Sequence, residues 1–267
     1  MDVKEFLGLE RHGATNQWSL IVQERVCTPG DFLFGGCGLG AMIVALEETT
    51  GRPTIWATAQ YVSYAPLGST LNIDVNVTVV GGHITQARAV GRDGDREVLT
   101  VNASLGSNTL EVGGIWVTPP SVPKPLDCPE RPFPPHAQDS VFKHIETRIA
   151  SGRTWDQIDG TPGGPDSAFW ARFPQHLDPS AATLAIFADY LSGALAHPLG
   201  RHTMGRSLDN TIRMVQVQPT EWVLCDMRVH ALVDGYAQGI VFLWSETGAL
   251  LATASQSMAI KLWEFEA

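Results

Sequence analysis

Hydrophobic residues follow two different spacings along the chain, one typical of a helix and one typical of strands. Residues 35–50, GGCGLGAMIVALEETT, are apolar nearly all round at helical spacing, which predicts a helix buried on most sides. Gly51 follows at the position where a glycine commonly ends a helix. Strand-like segments then cover residues 54–64, 70–80, 84–91 and 97–106. In the second of them apolar and polar residues alternate, which predicts one buried face.

The same order of one helix and four strands is predicted again further along the chain. The helix runs from about Ser180 to His197, where an apolar stripe continues at helical spacing. The stripe consists of Leu184, Phe187, Leu191 and Leu195. The four strand candidates are residues 207–217, 221–233, 239–246 and 250–263. Two earlier segments, 141–149 and 167–173, predict the opening strands of this second unit.

A proline-rich stretch separates the two units. Residues 117–135, VTPPSVPKPLDCPERPFPP, cannot continue a helix or the interior of a sheet. We therefore predict an N-terminal repeat at 1–116, a linker at 117–136 and a C-terminal repeat at 137–267. The fold class is α+β, with each repeat a long helix wrapped by a curved antiparallel sheet.

The glycines at the start of the first helix allow a competing interpretation. Gly36, Gly38 and Gly40 resemble the phosphate-binding loop of a dinucleotide-binding domain. That loop needs G-x-G-x-x-G spacing after a buried strand, within alternating strands and helices, and neither condition is met. We expect instead that these glycines let the helix N-terminus approach the sheet and point free N–H groups at a ligand.

Charge and cysteine content narrow the function classes. The 267 residues carry a formal net charge of -10, which disfavours a nucleic-acid partner. The N-terminus lacks the apolar region of a signal peptide, and no apolar stretch is long enough to cross a membrane, so we expect a soluble cytoplasmic protein without a membrane partner. The four cysteines are widely spaced, which predicts reduced thiols and no metal site.

Five segments, taken in order, resemble the acyl-CoA thioesterase II family, whose members are double hotdogs. They are DFLFGGCGLGAMIVAL, YVSYAPLGSTL, SLDNTIRM, EWVLCDMRV and LLATASQSM. The resemblance covers most of the chain and is weakest in the linker. It implies an enzyme of fatty acid metabolism that hydrolyses acyl-CoA with water, needs no cofactor and forms a homo-oligomer.

The family's active site holds a water between an Asp, a Thr or Ser, and a Gln, all from the second half. By position, the resemblance implies Asp209 and Gln256, and places His230 where the family has the hydroxyl residue. Gln256 also stands out by itself, because a carboxamide on the apolar face of a strand has to find hydrogen-bond partners. Structural roles remain open for all three: a cap for Asp209, an exposed polar face for His230 and a structural hydrogen bond for Gln256.

The start of the first helix is the predicted substrate-binding segment. The N–H groups at Gly36, Cys37 and Gly38 would orient the water or stabilise the oxyanion. Cys37 could alternatively be a nucleophile activated by the helix dipole, or a small residue chosen for packing. Asp189 is the alternative carboxylate, since single-repeat hotdog thioesterases often place one on the helix.

The sequence also leaves non-catalytic functions and a second enzyme class open. The chain could bind acyl-CoA without turnover or act as an oligomer scaffold. A hotdog hydratase or dehydratase is less favoured, because no G-D-x-N-P-x-H segment is present. A serine hydrolase and a zinc protease are disfavoured by the lack of G-x-S-x-G and H-E-x-x-H.

Overall fold

The computed structural model describes residues 2–132, 139–174 and 177–262. Its helices are α1 (Val3–Leu7), α2 (Gly35–Thr50), α3 (Ala181–Ala188), α4 (Leu191–Ala194) and α5 (Ala196–Leu199). Its strands are β1 (Leu9–Arg11), β2 (Gln17–Ile21), β3 (Thr54–Tyr61), β4 (Thr70–Val80), β5 (Ile84–Asp93), β6 (Arg96–Gly106), β7 (Glu146–Ser151), β8 (Asp166–Arg172), β9 (Thr203–Met214), β10 (Val223–Val233), β11 (Tyr236–Ser245) and β12 (Leu250–Leu262).

All these strands belong to one antiparallel sheet that repeats itself about its centre. The order is β1-β2-β4-β5-β6-β3-β9-β12-β11-β10-β8-β7. Read outward from the central pair β3 and β9, the two halves have the same arrangement of strands, so the predicted repeat is present. At the junction Thr58 lies opposite Thr211, and their hydroxyl oxygens are 2.6 Å apart.

The helix α2 forms as predicted and lies against the sheet of the first half. Most of its residues from Gly36 to Leu46 are fully buried, which matches its apolar character on every side. It ends at Gly51, whose φ of +66° is the left-handed conformation that a glycine adopts without strain.

The second helix departs from the prediction, because it breaks at Asp189. The helix α3 ends at Ala188, and α4 begins only at Leu191. The predicted apolar stripe crosses this break, and its four residues are all buried. Hydrophobic spacing therefore could not reveal the interruption, which is fixed by polar contacts of the Asp189 side chain described below.

Two glycines of α2 allow a close contact with α3 that the sequence analysis did not predict. A Cβ added to Gly36 would lie 2.9 Å from the Ile186 Cα atom, and one added to Gly40 would lie 3.1 Å from the Ala182 carbonyl oxygen. Only Gly38 faces the sheet, where an added Cβ would meet Leu99 at 3.3 Å. The expectation of close approach to the sheet thus holds for Gly38, while the other two glycines let α2 pack on α3.

The segment between the two halves packs on the outer side of the second half's sheet. Residues 107–124 contain neither helix nor strand. The Trp170 indole N–H donates to the Pro123 carbonyl oxygen at 3.0 Å, over a cluster of buried tryptophans. Residues 133–136 of the predicted linker, and residues 137–138, 175–176 and 263–267 of the predicted C-terminal repeat, lie outside the described residues. Among the described helices, none has the length and apolar character needed to span a bilayer.

Candidate active site

A buried carboxylate lies where the second helix breaks. The Asp189 side chain is only 4% exposed, at the end of α3. Its Oδ2 atom accepts a hydrogen bond from the Gly36 backbone N–H at 2.7 Å. Its Oδ1 atom accepts from Gln256 Nε2 at 2.5 Å, from Ser207 Oγ at 3.3 Å and from Asn210 Nδ2 at 3.4 Å. Both halves of the chain therefore contribute donors to this one carboxylate.

Two adjacent strands bring the side-chain donors together. Gln256 on β12 lies directly opposite Asn210 on β9, and both point inward. The register between β9 and β12 shifts by one residue next to Asp209, so that Ser207 pairs with Met258. Because one extra residue reverses the side to which a strand's residues point, the bulge turns Ser207 toward the same interior. Gln256 Nε2 then also donates to Ser207 Oγ, at 2.6 Å.

Burial and hydrogen bonding act in opposite directions on Asp189. Desolvation disfavours the charged form and raises the pKa of the carboxyl to about 6. The hydrogen bonds from Gly36, Gln256, Ser207 and Asn210 favour the carboxylate and limit this increase. The group is therefore ionised at neutral pH but close enough to its pKa to take up a proton.

Two acceptor atoms beside the carboxylate remain unused. Gln256 Oε1 and Asn210 Oδ1 are buried and have no hydrogen-bond partner among the described residues. Buried polar atoms of this kind are normally satisfied by protein or by water. A water at this position could donate to a carboxamide oxygen while its other proton faces Asp189.

Asp189 also forms part of the wall of a cavity of about 220 Å³. The rest of the wall combines aromatic and aliphatic side chains with several polar ones. The lining residues used below are Phe34, Arg131, Phe142, Phe169, Asp189 and Tyr190. An apolar cavity that leads to a carboxylate suits a ligand with a hydrophobic part and a polar reacting group.

Of the three predicted catalytic residues, the structure places only Gln256 in this network. Asp209 lies next to Asn210 on β9, and its Oδ1 accepts from the Ser257 backbone N–H at 2.8 Å. His230 is exposed, at the bulge of β10 between Val229 and Ala231. Among the described residues, no hydrogen bond joins Asp209 or His230 to Gln256, whose partners are Asp189 and Ser207.

Sequence reasoning missed Ser207 and Asn210 and ranked Asp189 as an alternative. The resemblance implied an acid, a hydroxyl and a carboxamide, and the structure brings together one of each, in Asp189, Ser207 and Gln256. The signal that could have found Asp189 is an acidic residue inside an otherwise apolar helix, which needs partners once it is buried. No sequence pattern indicates the bulge that orients Ser207.

The predicted substrate-binding segment is partly occupied by the protein itself. The Gly36 N–H donates to Asp189, and the Gly38 N–H donates to the Phe34 carbonyl oxygen at 3.0 Å. Cys37 is fully buried, and desolvation, followed by the nearby Asp189 charge, raises the pKa of its thiol well above the usual value. A thiolate nucleophile is thus disfavoured, and the packing role of Cys37 fits better.

Within residues 2–132, 139–174 and 177–262, no three His, Cys, Asp or Glu side chains come together in a group that could hold a metal ion.

Comparison with known proteins identifies the family. The family model of the acyl-CoA thioesterase C-terminal domain matches residues 125–260, about half of the chain. A solved structure from Novosphingobium aromaticivorans, provisionally described as a thioesterase, is 33% identical, with a TM-score of 0.83 over 95% of this chain and 98% of that one. A comparison with curated proteins finds no match.

More distant structures show the fold. A hot dog protein of unknown function from Alicyclobacillus acidocaldarius is 19% identical, with a TM-score of 0.86 over 97% of each chain. An acyl-CoA thioesterase II from Mycobacterium marinum is also 19% identical, with a TM-score of 0.75 over 98% of this chain and 99% of that one. The predicted double hotdog is thereby confirmed. The chain belongs to the acyl-CoA thioesterase family and is a thioester hydrolase.

Proposed function

We propose that the protein hydrolyses an acyl-CoA with a water held by Asp189, Ser207 and Gln256. The single observation that carries this proposal is the buried network in which one carboxylate accepts from the Gln256 carboxamide and the Ser207 hydroxyl. The nearby carboxamide oxygens leave acceptors for a water. Asp189 replaces Asp209, and Ser207 replaces His230, in the roles that the family resemblance implied.

Asp189 acts as the general base in this mechanism. A carboxyl with a pKa of about 6 is mostly ionised at pH 7 and still basic enough to accept a proton from water. The water oxygen attacks the thioester carbonyl carbon while its proton passes to Asp189. The tetrahedral intermediate then collapses, the carbon–sulfur bond breaks, and the CoA sulfur leaves with the proton that Asp189 returns.

Gln256 and Ser207 position the base and the water. Gln256 Nε2 is shared between Asp189 and Ser207, which fixes the carboxamide plane and leaves its oxygen directed away from both. A water that donates to this oxygen would be oriented for attack. Holding the water in place lowers the entropic cost of reaching the transition state.

The N-terminus of α2 supplies the positive end of a helix dipole to the same site. Its first turn has N–H groups without partners inside the helix, and Gly36 directs one of them to Asp189. We retain Cys37 and Gly38 as neighbours of the thioester carbonyl, with the Cys37 N–H as the oxyanion donor.

The cavity beside Asp189 is proposed to take the acyl group. Its volume of about 220 Å³ lies below the ~300–1,000 Å³ typical of pockets for drug-sized ligands, so a short acyl group fits best. Assembly as a homo-oligomer and a role in fatty acid metabolism remain predictions of the resemblance. Cytoplasmic location and the three segment boundaries remain predictions of the sequence pattern.

A thiol-release assay over a panel of acyl-CoA esters tests the proposal. We expect hydrolysis by the wild type and a loss of kcat on the order of 10²- to 10⁴-fold in Asp189→Asn, since a general base contributes about that much. The matched control is Asp209→Asn, the same substitution at a β9 carboxylate outside the network, which should keep its kcat within about 3-fold.

The reverse result would contradict the assignment. If Asp209→Asn abolished hydrolysis while Asp189→Asn retained it, the catalytic acid would be the one implied by position. If the wild type bound acyl-CoA tightly without releasing thiol from any ester, the non-catalytic binder would be the better description.

A further inference from the structure

The wall of the cavity beside Asp189 includes Tyr190, which the proposed mechanism does not use. Tyr190 is 4% exposed, and its ring packs against Phe34, Phe142 and Phe169. Its hydroxyl is buried and has no hydrogen-bond partner among the described residues. Burial raises the pKa of this phenol, so the hydroxyl keeps its proton and can donate it. A buried donor inside a cavity calls for an acceptor on the ligand.

A guanidinium lies against the ring of this tyrosine. The central carbon of the Arg131 guanidinium lies 5.2 Å from the ring centre of Phe169 and 5.6 Å from that of Tyr190, in cation–π contact with both. Its backbone N–H donates to the Thr147 carbonyl oxygen at 2.9 Å, which ties this segment to β7. Desolvation lowers the pKa of Arg131, but a guanidinium remains protonated in proteins.

The charges around the cavity favour an anionic ligand group. Asp189 is the one acidic residue among the described residues that line it, and the mechanism already uses that carboxylate. Arg153, another lining residue, donates to the His197 carbonyl oxygen at 2.6 Å and pairs with Asp159 at 3.6 Å. Burial, together with the charges of Arg131 and Arg153, lowers the pKa of His197 to about 4, so this imidazole is neutral. The described lining thus includes the Arg131 guanidinium, and Asp189 is its one carboxylate.

We propose that the cavity selects an acyl group carrying a carboxylate at its far end, bound by the Arg131 guanidinium and the Tyr190 hydroxyl. A carboxylate offers acceptor positions for both donors, and a guanidinium recognises it through two parallel hydrogen bonds. A methyl-ended acyl chain would leave the Tyr190 hydroxyl buried without an acceptor. This inference rests on the proposed function, because it places the thioester of the same substrate at Asp189.

Paired CoA esters of equal chain length test this specificity. We compare kcat/KM for adipoyl-CoA with that for hexanoyl-CoA, and for glutaryl-CoA with that for pentanoyl-CoA, each corrected for hydrolysis without enzyme. The wild type should favour the carboxylated member of at least one pair, by on the order of 10-fold. Tyr190→Phe, which removes one oxygen atom, should lower this ratio about 5-fold or more.

Two further variants separate charge from packing. Arg131→Met should lower the ratio of carboxylated to methyl-ended ester more than Tyr190→Phe does, whereas Arg131→Lys should keep part of it because the charge remains. Tyr236→Phe is the matched control, since Tyr236 is exposed at the start of β11 and outside the cavity. Its ratio should equal that of the wild type.

Binding to the Asp189→Asn variant gives a measurement that does not need turnover. Calorimetry should show tighter binding of adipoyl-CoA than of hexanoyl-CoA, and Tyr190→Phe in the same background should reduce the difference. The inference is overturned if neither pair favours the carboxylated ester in kcat/KM or in binding. In that case, hydrolysis of hexanoyl-CoA that depends on Asp189 would still support the proposed function. Conversely, tighter binding of the carboxylated ester without any hydrolysis would contradict the proposed function and leave the inferred binding specificity standing.

Discussion

The two halves of the sheet have the same strand arrangement, yet their inner faces differ in one chemical respect. On β6 of the first half the inward residues Leu99, Val101, Ala103 and Leu105 are all apolar. On β12 of the second half Gln256 interrupts a similar row, and it is joined by Asn210 and Ser207 from β9. The helices differ in the same way, since α2 continues for 16 residues while α3 stops at a carboxylate.

This difference shows how a repeated fold can hold one site. The first half contributes a continuous apolar core and one backbone N–H, from Gly36. The second half contributes the buried polar side chains, which need each other because each would be costly to bury alone. In the proposed mechanism, the first half is thus a scaffold and a helix N-terminus, and the second half supplies the reacting side chains.

Among the changes that compare the two halves, the largest effect is expected from giving the second half the apolar face of the first. Gln256→Leu removes the donor shared by Asp189 and Ser207, and kcat should fall about 10²- to 10³-fold in the thiol-release assay. The matched control is Gln238→Leu, at an exposed position on β11, which should retain its activity. Equal rates for the two variants would mean that Gln256 has a structural role only.

The next prediction concerns Gly36, the residue of the first half that contacts Asp189 of the second. Gly36→Ala places a methyl group 2.9 Å from the Ile186 Cα atom and 3.0 Å from the Asp189 Cβ atom. The backbone cannot yield easily, so the free energy of unfolding should fall by about 1–3 kcal/mol and kcat should fall with it. Gly82→Ala, where an added Cβ has nothing within 4 Å, is the control and should change stability by less than ~0.5 kcal/mol in urea unfolding.

The pH dependence of the rate tests whether Asp189 in the second half is the general base. Because burial raises the pKa of Asp189 to about 6, the carboxylate predominates above that pH and is lost as the pH falls through it. The kcat/KM of the wild type should therefore level off above about pH 7 and fall about 5-fold between pH 6 and pH 5. A profile without an acidic limb near pH 6 would show that another group, or none, supplies the base.

The smallest expected effect concerns the polar residue of the second half that lies outside the network. His230 is exposed on β10, so His230→Ala should change kcat/KM by less than about 2-fold and leave the midpoint of thermal unfolding nearly unchanged. A loss of 10-fold or more would return His230 to the role that its position in the family implies and would weaken the case for Ser207.

Periodicity was sufficient to predict most of the fold. The bounds of α2 and β4 agree with the prediction, because a helix that is apolar on every side and a perfectly alternating strand leave few competing interpretations. The sequence analysis did not predict the short elements α1, β1 and β2, because a helix or strand of three to five residues carries little periodic signal.

The site was less predictable because it depends on geometry that no linear pattern encodes. Gln256 was found because it conflicts with its apolar surroundings. Asp209 was preferred to Asp189 through position alone, and the bulge beside Asp209 decides which neighbouring residues point inward. The contact between Gly36 and Asp189 joins distant parts of the chain, and a pattern read locally cannot anticipate it.

That last contact has a consequence for how the enzyme acquires its activity. The two bonded residues are separated by 153 positions in the chain, so a large loop must close before the carboxylate gains its backbone donor. Contacts of such long range form slowly compared with the hairpins within each sheet. During refolding, regain of hydrolysis should therefore lag behind regain of secondary structure and report the docking of the two repeats.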